Sequence, residues 1–293
     1  MHDTKILLTG VNGQVGWELR RSLAPLGQVV AMDSRALDLS DGAAIRRVVT
    51  ELRPRLIVNP AAYTAVDKAE AELESARAVN AVAPGVLAET AKQCRAILVH
   101  YSTDYVFDGS KDGPYLEDDA PNPLNVYGST KLEGEEAIRA SGVRHLILRT
   151  SWVYGTRGGN FLLTMQRLMK ERPELKIVDD QIGAPTWSRM IAETTALILA
   201  QCLSPARGAD RPEPWGTYHL TCGGATSWYG FASAIAELGG YSTRLTPIPT
   251  ADYPTPARRP ANSRLDNGKL ARVFGLWLPD WREALKLCLD RAD

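Results

Sequence analysis

The sequence predicts an α/β protein: a doubly wound, Rossmann-like parallel sheet followed by a smaller, irregular C-terminal substrate-binding lobe. Three observations lead there. Short apolar runs alternate with segments of helical period through the first half. Those runs lack polar alternation, as expected of strands covered on both faces. A glycine-rich turn follows the first run, where a dinucleotide-binding βαβ unit requires one.

The elements follow in order. Residues 5–10 (KILLTG) read as a buried strand and residues 13–27 as a helix. Residues 28–33 (QVVAMD) form the next strand and 41–53 the next helix. Residues 55–62 (RLIVNPAA) are the third strand, and 75–94 one long helix. Residues 96–103 (AILVHYST) are a strand, 124–141 a helix and 145–155 (HLILRTSWVYG) a strand. Beyond residue 155 the pattern loosens. Helices are expected over 160–172, 188–203, 229–238 and 279–292, between Pro- and Gly-rich segments at 203–216 and 247–263. We therefore expect a dinucleotide-binding domain over 1–155 and a mainly substrate-binding lobe over 156–293, with part of 175–205 returning to the first domain.

Composition narrows the function. Basic and acidic side chains number 34 each, so there is no global positive field and nucleic acid is not an expected partner. Cys94, Cys202, Cys222 and Cys288 lie far apart. They read as reduced, buried thiols, neither disulfides nor a zinc site. There is no signal-peptide pattern and no apolar run of about 18 residues. A cytoplasmic protein away from the membrane is expected.

The turn Gly10-Val11-Asn12-Gly13-Gln14-Val15-Gly16 carries the first chemistry. Glycines let a pyrophosphate approach the backbone, and the helix that follows offers free N–H groups and a partial positive charge. At the end of the second strand, Asp33 would accept from the adenosine ribose and favour NAD. Two residues later, Arg35 would clamp the 2′-phosphate of NADP. The expectation is use of both cofactors, with NADPH modestly preferred.

Tyr127 and Lys131 stand four apart on a helical segment, hence on one face. A free phenol, of pKa about 10, is a poor acid or base at neutral pH, and a neighbouring ammonium is expected to lower that value. A bare Tyr-x-x-x-Lys is common. It gains weight here from the glycine turn and from Thr103 at the end of the fourth strand.

The Gly-x-x-Gly-x-x-Gly spacing with Tyr127 and Lys131 resembles the extended short-chain dehydrogenase/reductase superfamily. Tyr105 stands where sugar-nucleotide 4,6-dehydratases place an acidic base, which argues against elimination chemistry. Longer blocks narrow the resemblance: 62–70 (AYTAVDKAE), 100–107 (HYSTDYVF), 149–154 (RTSWVY), 180–186 (DQIGAPT) and 253–265 (YPTPARRPANSRL) are similar to the dTDP-4-dehydrorhamnose reductases.

The resemblance implies reduction of the C4 ketone of dTDP-4-dehydro-β-L-rhamnose by NADPH or NADH, with Thr103, Tyr127 and Lys131 as the catalytic set. It places Asp38 and Leu39 at the adenine, and Ala61, Ala62, Tyr63 and Thr64, with Tyr127 and Lys131, along the cofactor. Asp104 and Trp152 would contact the sugar, Trp152 offering an apolar face and an N–H. Arginines of residues 257–264 (Arg258, Arg259 or Arg264) suit the diphosphate. Some relatives bind Mg²⁺ at a dimer contact. A homodimer is compatible with the sequence, but Asp67 and Glu70 read as an exposed helix start and not as a metal pair.

Two other functions compete. One is a non-catalytic nucleotide-binding subunit, like the regulatory subunit of methionine adenosyltransferase, which the presence of Thr103, Tyr127, Lys131 and Trp152 together disfavours. The other is a sugar-nucleotide epimerase holding its NAD through turnover.

Overall fold

The computed structural model describes residues 4–204 and 213–290. The chain runs β1 (Lys5–Leu8), α1 (Gln14–Ser22), β2 (Gln28–Ala31), α2 (Gly42–Leu52), β3 (Leu56–Asn59), α3 (Val66–Ala69), α4 (Leu73–Arg77), α5 (Ala83–Gln93), β4 (Ile97–Thr103), α6 (Val126–Ser141) and β5 (His145–Thr150). It continues through β6 (Val153–Tyr154), α7 (Phe161–Glu171), β7 (Glu174–Val178), β8 (Ile182–Gly183), β9 (Thr186–Trp187), α8 (Ser188–Leu203) and β10 (Gly216–His219). Last come β11 (Thr226–Ser227), α9 (Trp228–Gly239), β12 (Arg244–Ile248), α10 (Gly268–Phe274) and α11 (Trp281–Leu289).

Six strands form one parallel sheet in the order β10-β5-β4-β3-β1-β2. The chain goes outward from β1 to β2, then returns to β3 on β1's other side. Ligands bind at the carboxyl ends beside such a switch point. The pleat sends alternate residues to opposite layers. Ile6, Leu8 and Val58 join the core that includes Leu19 of α1 and Ile191 and Ile198 of α8. Leu7, Ile57 and Leu98 join the core that includes Ile45 of α2 and Leu87 of α5. Both faces are thus dry, which is why these strands are apolar up to their carboxyl ends, where Asn59, His100, Ser102 and Thr103 stand.

Three local departures from the expected elements have physical causes. The helix of 75–94 is interrupted by a π turn over Ala78–Val82. Pro84, just beyond, has no N–H to give the carbonyl of Asn80 and its ring would press on it, so the turn widens. The strand of 145–155 breaks at Ser151–Trp152, where Trp152 adopts φ +48°. The sixth strand of the sheet is β10, and α8 lies on the sheet face with α1. The returning chain therefore extends to residue 219, past the expected 175–205, because the edge of β5 needs a paired strand. Of the Pro- and Gly-rich segment 203–216, residues 205–212 lie outside the described residues.

The second half supplies a small parallel pair, β7 with β12, and two short pairs, β8 with β11 and β6 with β9. Isolated bridges tie the loop before α10 to the first half, Leu265 to Tyr115, and to β8, Asn262 to Ile182.

Candidate active site

The glycine turn closes directly on the strand beside it. Gly10 has φ +57°, and a Cβ there would lie 2.8 Å from the Ala61 backbone. A Cβ on Gly16 would lie 2.2 Å from the Gly10 carbonyl oxygen. Only hydrogen fits at either place, so the backbone stays bare and the α1 N-terminus, with no side-chain cap, points its N–H groups outward. A bare, uncapped helix N-terminus of this kind can receive an anion. Gln14 is also a brace: its Oε1 accepts from Asn160 Nδ2 at 3.0 Å and its Nε2 donates to the Val153 carbonyl at 3.4 Å.

Asp33 accepts from the Arg35 and Ala36 N–H groups at 3.1 and 3.0 Å and from Asn12 Nδ2 at 3.3 Å, contacts that lower its pKa. Its carboxylate closes its own turn, while the Arg35 side chain is exposed. Asp38 likewise accepts from Ser40 N and Oγ, both at 2.8 Å, and its pKa is lowered by them; Leu39 beside it is buried. The Ala61–Thr64 loop is pinned by Asn80 from the π turn: Oδ1 accepts from Tyr63 N at 2.8 Å, and Nδ2 donates to Tyr63 O at 3.1 Å and Thr130 Oγ1 at 3.2 Å.

At the end of β4, Thr103 Oγ1 donates to Asp104 Oδ1 at 3.0 Å and stands beside the Tyr127 hydroxyl. Asp104 is buried, and desolvation lifts its pKa to about 6 against the opposing hydrogen bonds of Ser263 and Thr103. Tyr127 sits one residue inside α6, whose N-cap Asn125 accepts from Gly128 N at 2.8 Å and donates to the Arg258 carbonyl at 2.7 Å.

The expectation that Lys131 lowers the Tyr127 pKa is not met. Burial, with Asp104 adding to it, pushes the phenol up to about 12. Lys131 is fully buried and its Nζ is directed elsewhere, to the Tyr101 carbonyl at 2.7 Å and His100 Nε2 at 3.0 Å. Desolvation brings the Lys131 pKa down to about 8, with Glu135 opposing.

On the substrate side, Trp152 stacks on Trp228 with ring centroids 3.6 Å apart. Gly183 lies close against the indole, where a Cβ would lie 2.6 Å from Cε2. Trp228 therefore occupies one face of the indole, which is itself half-buried. Trp228 Nε1 donates to Gln181 Oε1 at 3.2 Å, and both residues border a cleft of about 650 Å³ with Phe161, Met165, Tyr253 and Arg259. Trp228 went unnoticed in the sequence because only the fold brings it to Trp152.

The arginines separate. Arg259 borders the cleft, but its Nη2 pairs with Asp67 Oδ2 at 2.8 Å. Arg258 is exposed, and Arg264 Nε donates to Asn262 Oδ1 at 2.9 Å. Asp67 and Glu70 are thus not a free helix start: Asp67 holds Arg259, and Glu70 accepts from Val126 N at 2.9 Å, securing the start of α6. Among the described residues no group of three His, Cys, Asp or Glu side chains is arranged for a metal ion.

The sequence profile of the RmlD substrate binding domain matches residues 4–293. A dTDP-4-dehydrorhamnose reductase of Burkholderia thailandensis is 52% identical over 294 residues, covering 97% of this chain and 98% of its own length. The dTDP-4-dehydrorhamnose reductase of Escherichia coli K12 is 46% identical over 97% of both chains. A solved dTDP-4-dehydrorhamnose reductase from Bacillus anthracis, in complex with NADP, superposes with TM-score 0.91 at 35% identity, covering 98% of this chain and 99% of that one. A UDP-glucose 4-epimerase from Thermus thermophilus, at 22% identity and TM-score 0.80, shares the fold.

Proposed function

The chain belongs to the RmlD substrate binding domain family, and from that membership we propose that it reduces the C4 ketone of dTDP-4-dehydro-β-L-rhamnose to the alcohol of dTDP-L-rhamnose. The observation that carries the reading is one cluster at the carboxyl edge of the sheet: Thr103, Asp104 and Tyr127 together, with Lys131 one helical turn on and the glycine cradle two strands away. A bound nicotinamide supplies the hydride. The cradle at Gly10–Gly16 would hold its pyrophosphate, and Arg35 would meet a 2′-phosphate.

The chain's own part is the proton. With its pKa raised to about 12, the Tyr127 phenol is protonated at neutral pH, which is the form a reductase needs for donation to the ketone oxygen. Thr103 Oγ1 lies next to that hydroxyl and orients the oxygen, its own proton held by Asp104 until it turns toward substrate. The Trp152 indole, with its N–H, addresses the sugar, while the cleft beside Trp228 and Arg259 takes the nucleotide end. Among the described residues no helix is long and apolar enough to cross a membrane. A cytoplasmic location is part of the proposal and is supported by four cysteines that form no disulfide.

The test is incubation with dTDP-4-dehydrorhamnose and NADPH, then NADH. Absorbance at 340 nm falls and mass spectrometry finds a product two mass units heavier. Unchanged sugar with either cofactor would refute the assignment. A product of unchanged mass, formed without net loss of NADPH, would point to an epimerase.

A further inference from the structure

A file of buried side chains runs from the glycine cradle to Lys131. Thr9 Oγ1 lies 2.5 Å from Asn59 Oδ1, Asn59 Nδ2 lies 3.1 Å from His100 Nδ1, and His100 Nε2 lies 3.0 Å from Lys131 Nζ. All four residues are 2% exposed or less. They come from four elements: the end of β1, then β3, β4 and α6.

Donor and acceptor bookkeeping allows this file two self-consistent arrangements. In one, Thr9 donates to Asn59, the Asn59 amide nitrogen donates to His100 Nδ1, and the imidazole proton sits on Nε2. The Lys131 nitrogen facing it must then accept, so it is an uncharged amine. In the other, the Asn59 amide is turned over and donates to Thr9, His100 Nδ1–H donates to the Asn59 oxygen, and Nε2 accepts from a Lys131 ammonium. The imidazole carries one proton in both. The pair as a whole gains or loses a single proton, and Lys131 keeps its place and its bond to the Tyr101 carbonyl in either state.

Resting on the reading that Lys131 serves the Tyr127 chemistry, we propose that His100, backed by Asn59 and Thr9, is a positioning residue whose hydrogen-bond polarity reverses to match the charge of Lys131. Burial pushes His100 well below the usual histidine range, so it stays neutral and available as an acceptor. The other groups that face this file are fixed. Glu135, one turn along α6, is forked by Arg149 of β5 at 2.9 and 2.7 Å and paired with Arg139 at 3.0 Å. Tyr127 and Asp104 lie on the site side and Tyr101 donates or accepts at Thr195, 2.8 Å away.

Two measurements test this. Nitrogen-15 NMR of histidine-labelled protein without cofactor should show the His100 ring changing from the Nδ1–H to the Nε2–H tautomer between pH 6 and 10, and no change in Lys131→Met. A single tautomer across that range in the wild type overturns the proposal. The second is the pH profile of kcat/KM. His100→Gln places an acceptor near the position of Nε2 and should keep the wild-type profile. His100→Asn reaches only toward Asn59 and should move the high-pH limb down by about one unit, with turnover reduced about tenfold. Thermal melts confirm that both variants fold. Superimposable profiles for wild type and His100→Asn, or equal damage in both variants, would overturn the role of His100. Full activity in Lys131→Met would instead overturn the reading of Lys131 on which it rests.

Discussion

Tyr127 is where the predicted chemistry is most exposed to test. Tyr127→Phe keeps the ring and removes the proton, so turnover should fall roughly 10²–10⁴-fold with NADPH affinity nearly unchanged. Near-normal turnover would remove Tyr127 from the mechanism. At the other end of the cofactor, Asp33 is occupied by the N–H groups of Arg35 and Ala36, while the Arg35 side chain is exposed. A carboxylate so engaged discriminates weakly against a 2′-phosphate. Arg35→Ala should raise KM for NADPH several-fold and leave NADH almost unaffected; matched responses would show that Arg35 does not read the phosphate. Trp152 illustrates strain at a site: a bulky residue at φ +48° persists where Trp228 stacks on its ring and Gly183 packs close to it.

Among elements, the β1–α1 turn and α6 do the positioning. Gly10 cannot carry a side chain without displacing the Ala61 backbone. Gly10→Ala should therefore weaken NADPH binding at least about tenfold, since it adds αL strain to a backbone clash at the phosphate cradle. Fluorescence titration of the dinucleotide checks this, and wild-type affinity in the variant would refute the cradle. Helix α6 is held at its start by Asn125 and Glu70 and set close to the π turn at Gly134, where a Cβ would lie 2.1 Å from the Asn80 carbonyl oxygen. Asn125→Ala removes the cap and the bond to the Arg258 carbonyl, and should cost about 1 kcal/mol of stability in denaturant unfolding. A larger loss in KM for the sugar nucleotide than for NADPH is the expected companion effect, because Arg258 belongs to the loop before α10.

The molecule as a whole should weaken in mild acid. His219 is buried and desolvation lowers its pKa to about 3, and burial likewise holds His100 well below the usual histidine range. Each stays neutral in the fold but takes a proton when unfolded near pH 6.5. Their contribution is complete above that value and is lost as pH falls toward 3, at up to about 1.4 kcal/mol per pH unit for each. Asp104, raised to about 6, opposes them: it takes up a proton in the fold between about 6 and 3.8, which stabilises the native state there. Urea unfolding at pH 7.5 and pH 5 should show a net loss for the wild type, and about 2 kcal/mol less loss for His219→Gln. Equal losses in both proteins would mean that His219 is not held neutral.

The alternation of apolar runs with helices determined the doubly wound sheet, because strands buried on both faces admit polar residues only where partners satisfy them, as Asn59 and His100 are satisfied at the carboxyl end. The glycine spacing located the tight β1–α1 turn, since only glycine lets backbone approach backbone as Gly10 does to Ala61. Tyr127, Lys131 and Thr103 were legible through spacing and resemblance. Tertiary structure decided the rest. Periodicity within one helix placed Lys131 near Tyr127, but β4 supplied the Tyr101 carbonyl and His100 as its partners and turned the ammonium aside. Residues 67 and 259 lie far apart in sequence, as do 152 and 228, and no local pattern pairs them; the fold makes one an ion pair and the other a stack. The return of β10 to the sheet was likewise invisible, because a four-residue strand of mixed character is specified by the open edge of β5 it completes and not by its own sequence.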